Sequence, residues 1–311
     1  MRDERFLITG ALGCIGAWSC AQLAREETPV TALDVGKNTE RLELIMSPDE
    51  LERVEVTQGD VTDLNELERT MSGRGITHVV HLAALLLPEV KADPPRGAAV
   101  NVVGTTNVFE AAKRTGVRGI AYASSAAVYG PESGPRIEDA GRPTTLYGVF
   151  KLANEGTARV FFEDEGVGSI GLRPYVVYGA GRDNGLTADP TLAMAAAARG
   201  AGYEMRWGGR CQVQYAADAA AIFIASARSQ FAGAAVFNLG GPSSHMSEVV
   251  AAIESMVPEA AGRIGFEDVQ LPFPPELDNG DLETVIGPIE WTPLGEGTRR
   301  TIELYRAAVT A

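Results

Sequence analysis

Tyr147 and Lys151 stand four residues apart in the run Tyr147-Gly148-Val149-Phe150-Lys151. That spacing stacks both side chains on one face of a helix. A phenol beside an ammonium is a device for moving a proton: a free tyrosine ionises near pH ~10, and a neighbouring positive charge brings it closer to neutrality. Upstream lies a Ser124-Ser125 pair, whose hydroxyls could hold a substrate oxygen beside the phenol. An isolated Tyr-x-x-x-Lys is usually a solvated surface pair. What changes the reading here is the start of the chain.

Thr9-Gly10-Ala11-Leu12-Gly13-Cys14-Ile15-Gly16 places glycines at positions 10, 13 and 16, between an apolar strand pattern and a helical one. A dinucleotide site needs that arrangement: a tight turn, close backbone approach to a pyrophosphate, and a helix N-terminus facing it. Asp34 ends the second strand pattern, where a carboxylate accepts hydrogen bonds from the adenosine ribose and repels a 2′-phosphate. The cofactor expected is therefore NAD, although Lys37 and Arg41 follow closely and could soften that preference. Asp60-Val61, after the third strand, could meet the adenine. Leu82-Ala83-Ala84, after the fourth, are small enough to let a cofactor cross the sheet edge.

The elements that must position these residues alternate. Strands are expected at Phe6–Ile8, Val30–Asp34, Val54–Val56, His78–Leu82, Gly119–Ser124 and Gly168–Arg173. Helices are expected at about Gly16–Glu26, Leu64–Met71 behind the N-cap Asp63, Asn101–Thr115 and Tyr147–Glu165. Such alternation implies an α/β fold, a doubly wound parallel Rossmann sheet covered on both faces. Beyond Arg173 the rhythm changes. Residues 1–173 with 213–240 read as the NAD-binding domain, and 174–212 with 241–311 as a smaller substrate-binding lobe.

Composition narrows the partners. With 45% hydrophobic and 22% charged residues the chain is ordinary for a globular protein, and at 311 residues it can bury a large core. A formal charge of −14 speaks against nucleic acid and against a polybasic membrane contact. Cys14, Cys20 and Cys211 lack metal-site spacing and read as free thiols in a reducing cytoplasm. Cys14 lies inside the glycine loop, where a helix N-terminus could make it acidic, though its small size is the simpler reason for its presence. His78, His81 and His245 are too scattered for a metal site. No signal peptide and no membrane-spanning run are apparent.

Over essentially its whole length the chain resembles the extended short-chain dehydrogenases/reductases, the NAD-dependent epimerase/dehydratase family. The residues carrying the resemblance are Thr9–Gly16, Asp34, Gly59–Asp63, His81–Ala84, Asn101–Asn107, Ser124–Gly130, Tyr147–Lys151, and Leu172-Arg173-Pro174 with Val177-Tyr178-Gly179. The resemblance implies that Ser125, rather than Ser124, acts with Tyr147 and Lys151. It also implies cofactor contacts from Asn101 and Tyr175, and a homodimer packed through the helices that start near Asn101 and Tyr147.

Departures from the family pattern select among reactions. Dehydratases of the family carry an Asp-Glu pair after the serine, and decarboxylases a glutamate at the second position; here both are alanines, Ala126 and Ala127. Alanine cannot transfer a proton, which leaves reversible oxidation at one carbon. Sugar-nucleotide epimerases usually show an asparagine where this chain has Val176, and often an arginine where it has Cys211, with Arg210 one residue away. The stretch 266–291 contains no Lys or Arg, whereas a diphosphate leaving water needs donors. Arg173, Arg182, Arg199, Arg206 and Arg210 could still bind a carboxylate or a sugar hydroxyl. The expectation is an NAD-dependent dehydrogenase or epimerase, leaning to net dehydrogenation of a small sugar-like or carbonyl substrate. The alternatives are a nucleotide-sugar 4-epimerase and a dinucleotide-binding sensor without turnover.

Overall fold

In the computed structural model, which describes residues 3–310, twelve strands are present. They are β1 (Phe6–Thr9), β2 (Val30–Asp34), β3 (Val54–Gln58), β4 (His78–His81), β5 (Gly119–Ala123), β6 (Ser169–Pro174), β7 (Val176–Tyr178), β8 (Tyr203–Met205), β9 (Arg210–Tyr215), β10 (Ala234–Leu239), β11 (Ser243–His245) and β12 (Ile264–Phe266). Seven form one parallel sheet in the order β10-β6-β5-β4-β1-β2-β3. The chain leaves β1 on one side to make β2 and β3, then returns to the other side with β4. That reversal opens a crevice at the carboxyl ends of β1 and β4, where an α/β sheet takes its ligand.

Strand burial explains why apolar runs rather than alternating ones marked these elements. Every residue of β1 and of β4 is buried, as expected for strands covered on both faces. Two apolar layers flank the sheet, one including Phe6, Ile8, Val80 and Leu172, the other Leu7, Val79, Phe109 and Tyr122. His78 is part of this packing, stacked on Phe6 with ring centroids 4.9 Å apart. Burial lowers its pKa to about 4, so it stays neutral.

The helix ends obey local chemistry. Asp63 caps the helix Leu64–Arg74 by accepting from the Glu66 amide, and Gly116, at φ +72°, ends the helix Gly104–Thr115 in the left-handed conformation. The helix expected from Asn101 begins differently: residues Ala99–Val103 form a π-turn before regular helix starts at Gly104. Four short helices, Glu40–Ile45, Pro48–Leu51, Leu87–Ala92 and Pro94–Ala98, were outside the sequence expectation, because one or two turns are too short to show periodicity.

Beyond β6 two small sheets appear, β11-β9-β7 and β12-β8. The helices Asp189–Ala198, Met246–Met256 and Leu294–Thr310 pack beside them. The helix from Met246 also escaped the sequence reading. Its N-cap is a histidine: His245 Nδ1 accepts from the Ser247 amide while Glu248 accepts from the His245 amide, an uncommon capping box.

Candidate active site

The crevice widens into a cavity of about 500 Å³ that runs from the glycine loop past Ser125, Tyr147 and Lys151 to Phe273. The glycine loop shapes its floor. Gly10 sits at φ +68°, and a Cβ there would lie 2.6 Å from the Ala83 amide nitrogen. A Cβ on Gly16 would lie 2.3 Å from the Gly10 carbonyl oxygen. These two glycines therefore let the loop close against itself and against the chain after β4. Gly13 is the N-cap of the helix Cys14–Arg25, with no side-chain cap, so its first-turn amides are left for a ligand.

Asp34 closes the far end. Its Oδ2 accepts from the Leu12 amide at 3.0 Å and its Oδ1 from the Gly36 amide at 2.9 Å, which holds the carboxylate at the rim of the cavity. Arg41 is not free to receive a phosphate. It donates twice to Asp183, at 2.6 and 3.1 Å, and once to the Leu12 carbonyl at 2.7 Å. The residues thus fit an adenine dinucleotide without a 2′-phosphate: Gly10, Gly13, Ile15 and Gly16 around the pyrophosphate, and Asp34 at the ribose.

At the other end, the helix Leu146–Glu165 carries Tyr147 and Lys151. Thr145 caps it, accepting from the Gly148 amide at 3.1 Å. Gly148 is the reason the phenol reaches the serine loop. A Cβ on it would lie 2.1 Å from the Ala127 carbonyl oxygen and 2.8 Å from Pro143 Cβ. The helix therefore packs directly on the 3-10 turn Ala126–Val128 that follows Ser125. Lys151 is buried, donates to the Ala123 carbonyl at 2.7 Å, and lies 5.7 Å from the centre of the Tyr147 ring. Burial lowers its pKa to about 8. Burial also raises the Tyr147 phenol; hydrogen bonding to Ser125 and the charge of Arg182 oppose that rise. In this state the groups easing the phenol toward ionisation are Ser125 and Arg182, rather than the lysine expected from the spacing.

The two serines diverge. Ser124 Oγ donates to Glu155. Glu155 also takes two bonds of 2.8 Å from Arg173, and Arg173 reaches Tyr129. That buried network leaves Ser125 as the hydroxyl facing Tyr147.

Other expected site residues fall where their surroundings put them. Leu82, Ala84 and Tyr175 line the cavity. Tyr175 donates to the Pro274 carbonyl and packs edge-on against Phe273. Asp60, Val61, Ala83 and Asn101 are not among the lining residues. Asp60 accepts from the Thr62 amide in a local turn; Val61 is buried against Gly104; Ala83 presents its backbone to Gly10. Asn101, expected to touch the cofactor, is fully buried and exchanges two hydrogen bonds with the Leu85 backbone. It positions the wall of the cavity instead of forming it. His81 does the same from below, bridging Thr9 and Thr105, with burial lowering its pKa to about 3. Burial also pushes the Cys14 thiol up to about 12, which overrides any acidifying effect of the helix N-terminus.

The arginines separate clearly. Arg173 is locked in the Glu155 pair, Arg206 is paired with the buried Asp189, and Arg199 and Arg210 are exposed. Arg210 therefore does not replace the arginine missing at Cys211, which is itself buried, as is Val176. Arg182 alone of the five lines the cavity. Thr144, Thr187 and Phe273 line it as well without having been singled out. Thr145 had a readable signal, a threonine ahead of an amphipathic run, whereas Phe273 comes from a distant irregular segment with no pattern to betray it.

Residues 6–240 match the family model described as NAD dependent epimerase/dehydratase family. The chain belongs to that family, an enzyme family whose cofactor is NAD. A UDP-glucose 4-epimerase of Mycolicibacterium smegmatis is 29% identical over 97% of this chain and 98% of its own length. A bifunctional UDP-glucose and UDP-xylose 4-epimerase of Arabidopsis thaliana is 31% identical, but over 50% of this chain and 47% of its own. The chain thus spans about half the length of some curated relatives that it matches. Among solved structures, the Thermus thermophilus UDP-glucose 4-epimerase in complex with NAD is 26% identical with a TM-score of 0.78, covering 98% of this chain and 99% of that one. The L-threonine dehydrogenase of Clostridium difficile shares the fold at 23% identity, with a TM-score of 0.83 and 98% of both chains covered.

Proposed function

We propose that this protein catalyses NAD-dependent oxidation and reduction at one secondary alcohol or ketone carbon of a small sugar-like or carbonyl substrate, with net dehydrogenation as its reaction. The observation that carries this reading is the convergence of Ser125, Tyr147 and Lys151 on the cavity that also contains the glycine loop. Tyr147 takes or gives the hydroxyl proton, Ser125 holds the substrate oxygen, and Lys151 holds the nicotinamide ribose. NAD, when bound, supplies the acceptor for the hydride. Among the described residues lining the cavity, Asp34 is the one carboxylate, and it stands at the adenosine end. With Ala126 and Ala127 beside Ser125, the two positions that would carry the acid–base carboxylates of dehydration or decarboxylation hold none.

A nucleotide-sugar 4-epimerase is the second reading, favoured by the near full-length match to the M. smegmatis enzyme. Purified protein separates the two. A dehydrogenase reduces added NAD in proportion to product formed. An epimerase interconverts UDP-sugars with no net reduced cofactor, and that result would overturn the preferred reading.

The proposal extends to organisation. The NAD-binding domain is 1–173 with 213–240, the substrate lobe is 174–212 with 241–311, and the setting is the cytoplasm. Among the described residues no helix is long and apolar enough to cross a membrane. The assembly is a homodimer. Leu146, Val149, Ala153 and Val160 are exposed along one side of the long helix, and Val103 is exposed on the neighbouring π-turn. Apolar residues at that spacing suit a helix–helix interface.

A further inference from the structure

We infer that Arg182 anchors a carboxylate of the substrate, so that the substrate class is a small hydroxy acid whose alcohol carbon is presented to Tyr147. The inference deepens the dehydrogenase reading and rests on it for the identity of the reacting carbon.

Arg182 is carried on a tightly held loop after β7. Its sequence, Gly179-Ala180-Gly181-Arg182-Asp183-Asn184-Gly185, uses positive φ at all three glycines, +135°, +87° and +96°. The loop is pinned almost residue by residue. Gly179 donates to Thr191 Oγ1, and Ala180 accepts from Trp18 Nε1 at 3.0 Å. Gly181 donates to the Tyr305 hydroxyl, Asp183 holds Arg41, and Asn184 donates to Glu89 at 3.0 Å. Five helices fix the loop, and Arg182 is held on it facing the cavity.

The guanidinium itself is left underused. It donates once, to Thr187 Oγ1 at 3.2 Å, and it forms no ion pair among the described residues. Its Nε is buried without a hydrogen-bond partner. A buried charged donor left unmatched is costly unless a ligand completes it. The other cations of the cavity are already engaged, Arg41 by Asp183 and Lys151 by Ala123. Arg182 is also close enough for its charge to act on the Tyr147 phenol, so an anion bound there sits within a small molecule's reach of the proton-transfer group.

The terminal nitrogens of the guanidinium can meet a carboxylate with charge-assisted hydrogen bonds, with the Thr187 hydroxyl as a further donor. A diphosphate would need more donors than this single arginine provides, and among the described residues lining the cavity the second arginine, Arg41, is held by Asp183. Nor does the cavity hold a carboxylate near Tyr147 to pair with an ammonium, which disfavours amino acids.

The test uses the full-length protein saturated with NAD. Binding of glycerate, threonate and gluconate is measured by calorimetry against glycerol, threitol and glucitol, with glycerol 3-phosphate as the phosphate control. The expected result is that at least one acid binds roughly 10- to 100-fold more tightly than its polyol and than the phosphate ester. Arg182→Gln should erase that difference, Arg182→Lys should restore part of it, and Thr187→Val should weaken acid binding a few-fold. NAD affinity should stay within about twofold in Arg182→Gln. Should Arg182→Gln fail to fold, the lysine and valine variants carry the comparison. Equal binding of acids and polyols, a preference for the phosphate ester, acid binding unchanged in the variants, or a large loss of NAD affinity in Arg182→Gln would each overturn the assignment. Acid binding without reduction of NAD would instead count against the dehydrogenase reading and leave the anchor standing.

Discussion

A phenol does the proton transfer only if its hydroxyl is held where the substrate oxygen arrives. Replacing Tyr147 with Phe keeps the ring and its packing and removes one hydroxyl. Turnover should fall roughly a thousandfold while NAD affinity changes little; turnover within a few-fold of the parent would remove Tyr147 from the chemistry. Lys151 offers a second check, independent of substrate. Burial holds its pKa at about 8, below the unfolded value near ~10.4. Between those two values the unfolded chain binds more protons than the folded one, so this group makes folding more favourable as pH rises through the window. Below about pH 8 both states hold the proton and the buried cation is a standing cost. Relative to Lys151→Met, the cofactor-free parent should gain on the order of 3 kcal/mol between pH 8 and 10.5, measured by denaturant unfolding. A constant difference between the two proteins across that range would show that the ammonium is not desolvated.

At the scale of elements, the site depends on how closely one helix approaches one turn. Gly148→Ala makes the opposition explicit. Alanine is the better helix former by about 1 kcal/mol, yet its Cβ would meet the Ala127 carbonyl oxygen at 2.1 Å. The steric term wins, so the variant should lose about 1–3 kcal/mol of stability. It should also lose turnover beyond what the stability loss explains, since Tyr147 backs away from Ser125. A more stable and equally active variant would show that the contact can relax. This dependence was invisible in the chain, where Gly148 reads as an incidental residue between a tyrosine and a lysine. The tyrosine–lysine pair, the glycine loop and Asp34 were legible because each rests on a short local pattern. Asn101 was legible as a notable residue but not in its role, because its partner is the backbone of Leu85 in an irregular segment after β4. Arg182 was in view as one of five arginines, but what sets it apart, like the place of Phe273, depends on how two distant loops fold back over the sheet, and local sequence carries no record of that.

For the whole molecule, the seven-stranded sheet was readable from the repeated alternation of apolar runs and helical stretches. The small sheets after β6 were not, because strands of three residues such as β8 and β12 fall below the length at which a pattern declares itself. The exposed stripe on the long helix bears on assembly. Val149→Glu would place a charge at its centre, and the proposed homodimer should dissociate to monomer in light-scattering measurements. A parent that is already monomeric at micromolar concentration would retire the proposal.

The contact between Arg41 and Asp183 has one more consequence. It joins the helix after β2 to the loop after β7 at the mouth of the crevice, and both partners remain partly open to water. Such a fastening contributes little to equilibrium stability, but it would slow the release of a dinucleotide bound behind it. Counterions weaken it, so NAD should depart faster from the parent in concentrated sodium chloride than in dilute buffer. In Asp183→Asn that acceleration should disappear; equal salt sensitivity in both proteins would mean the latch is not what retains the cofactor.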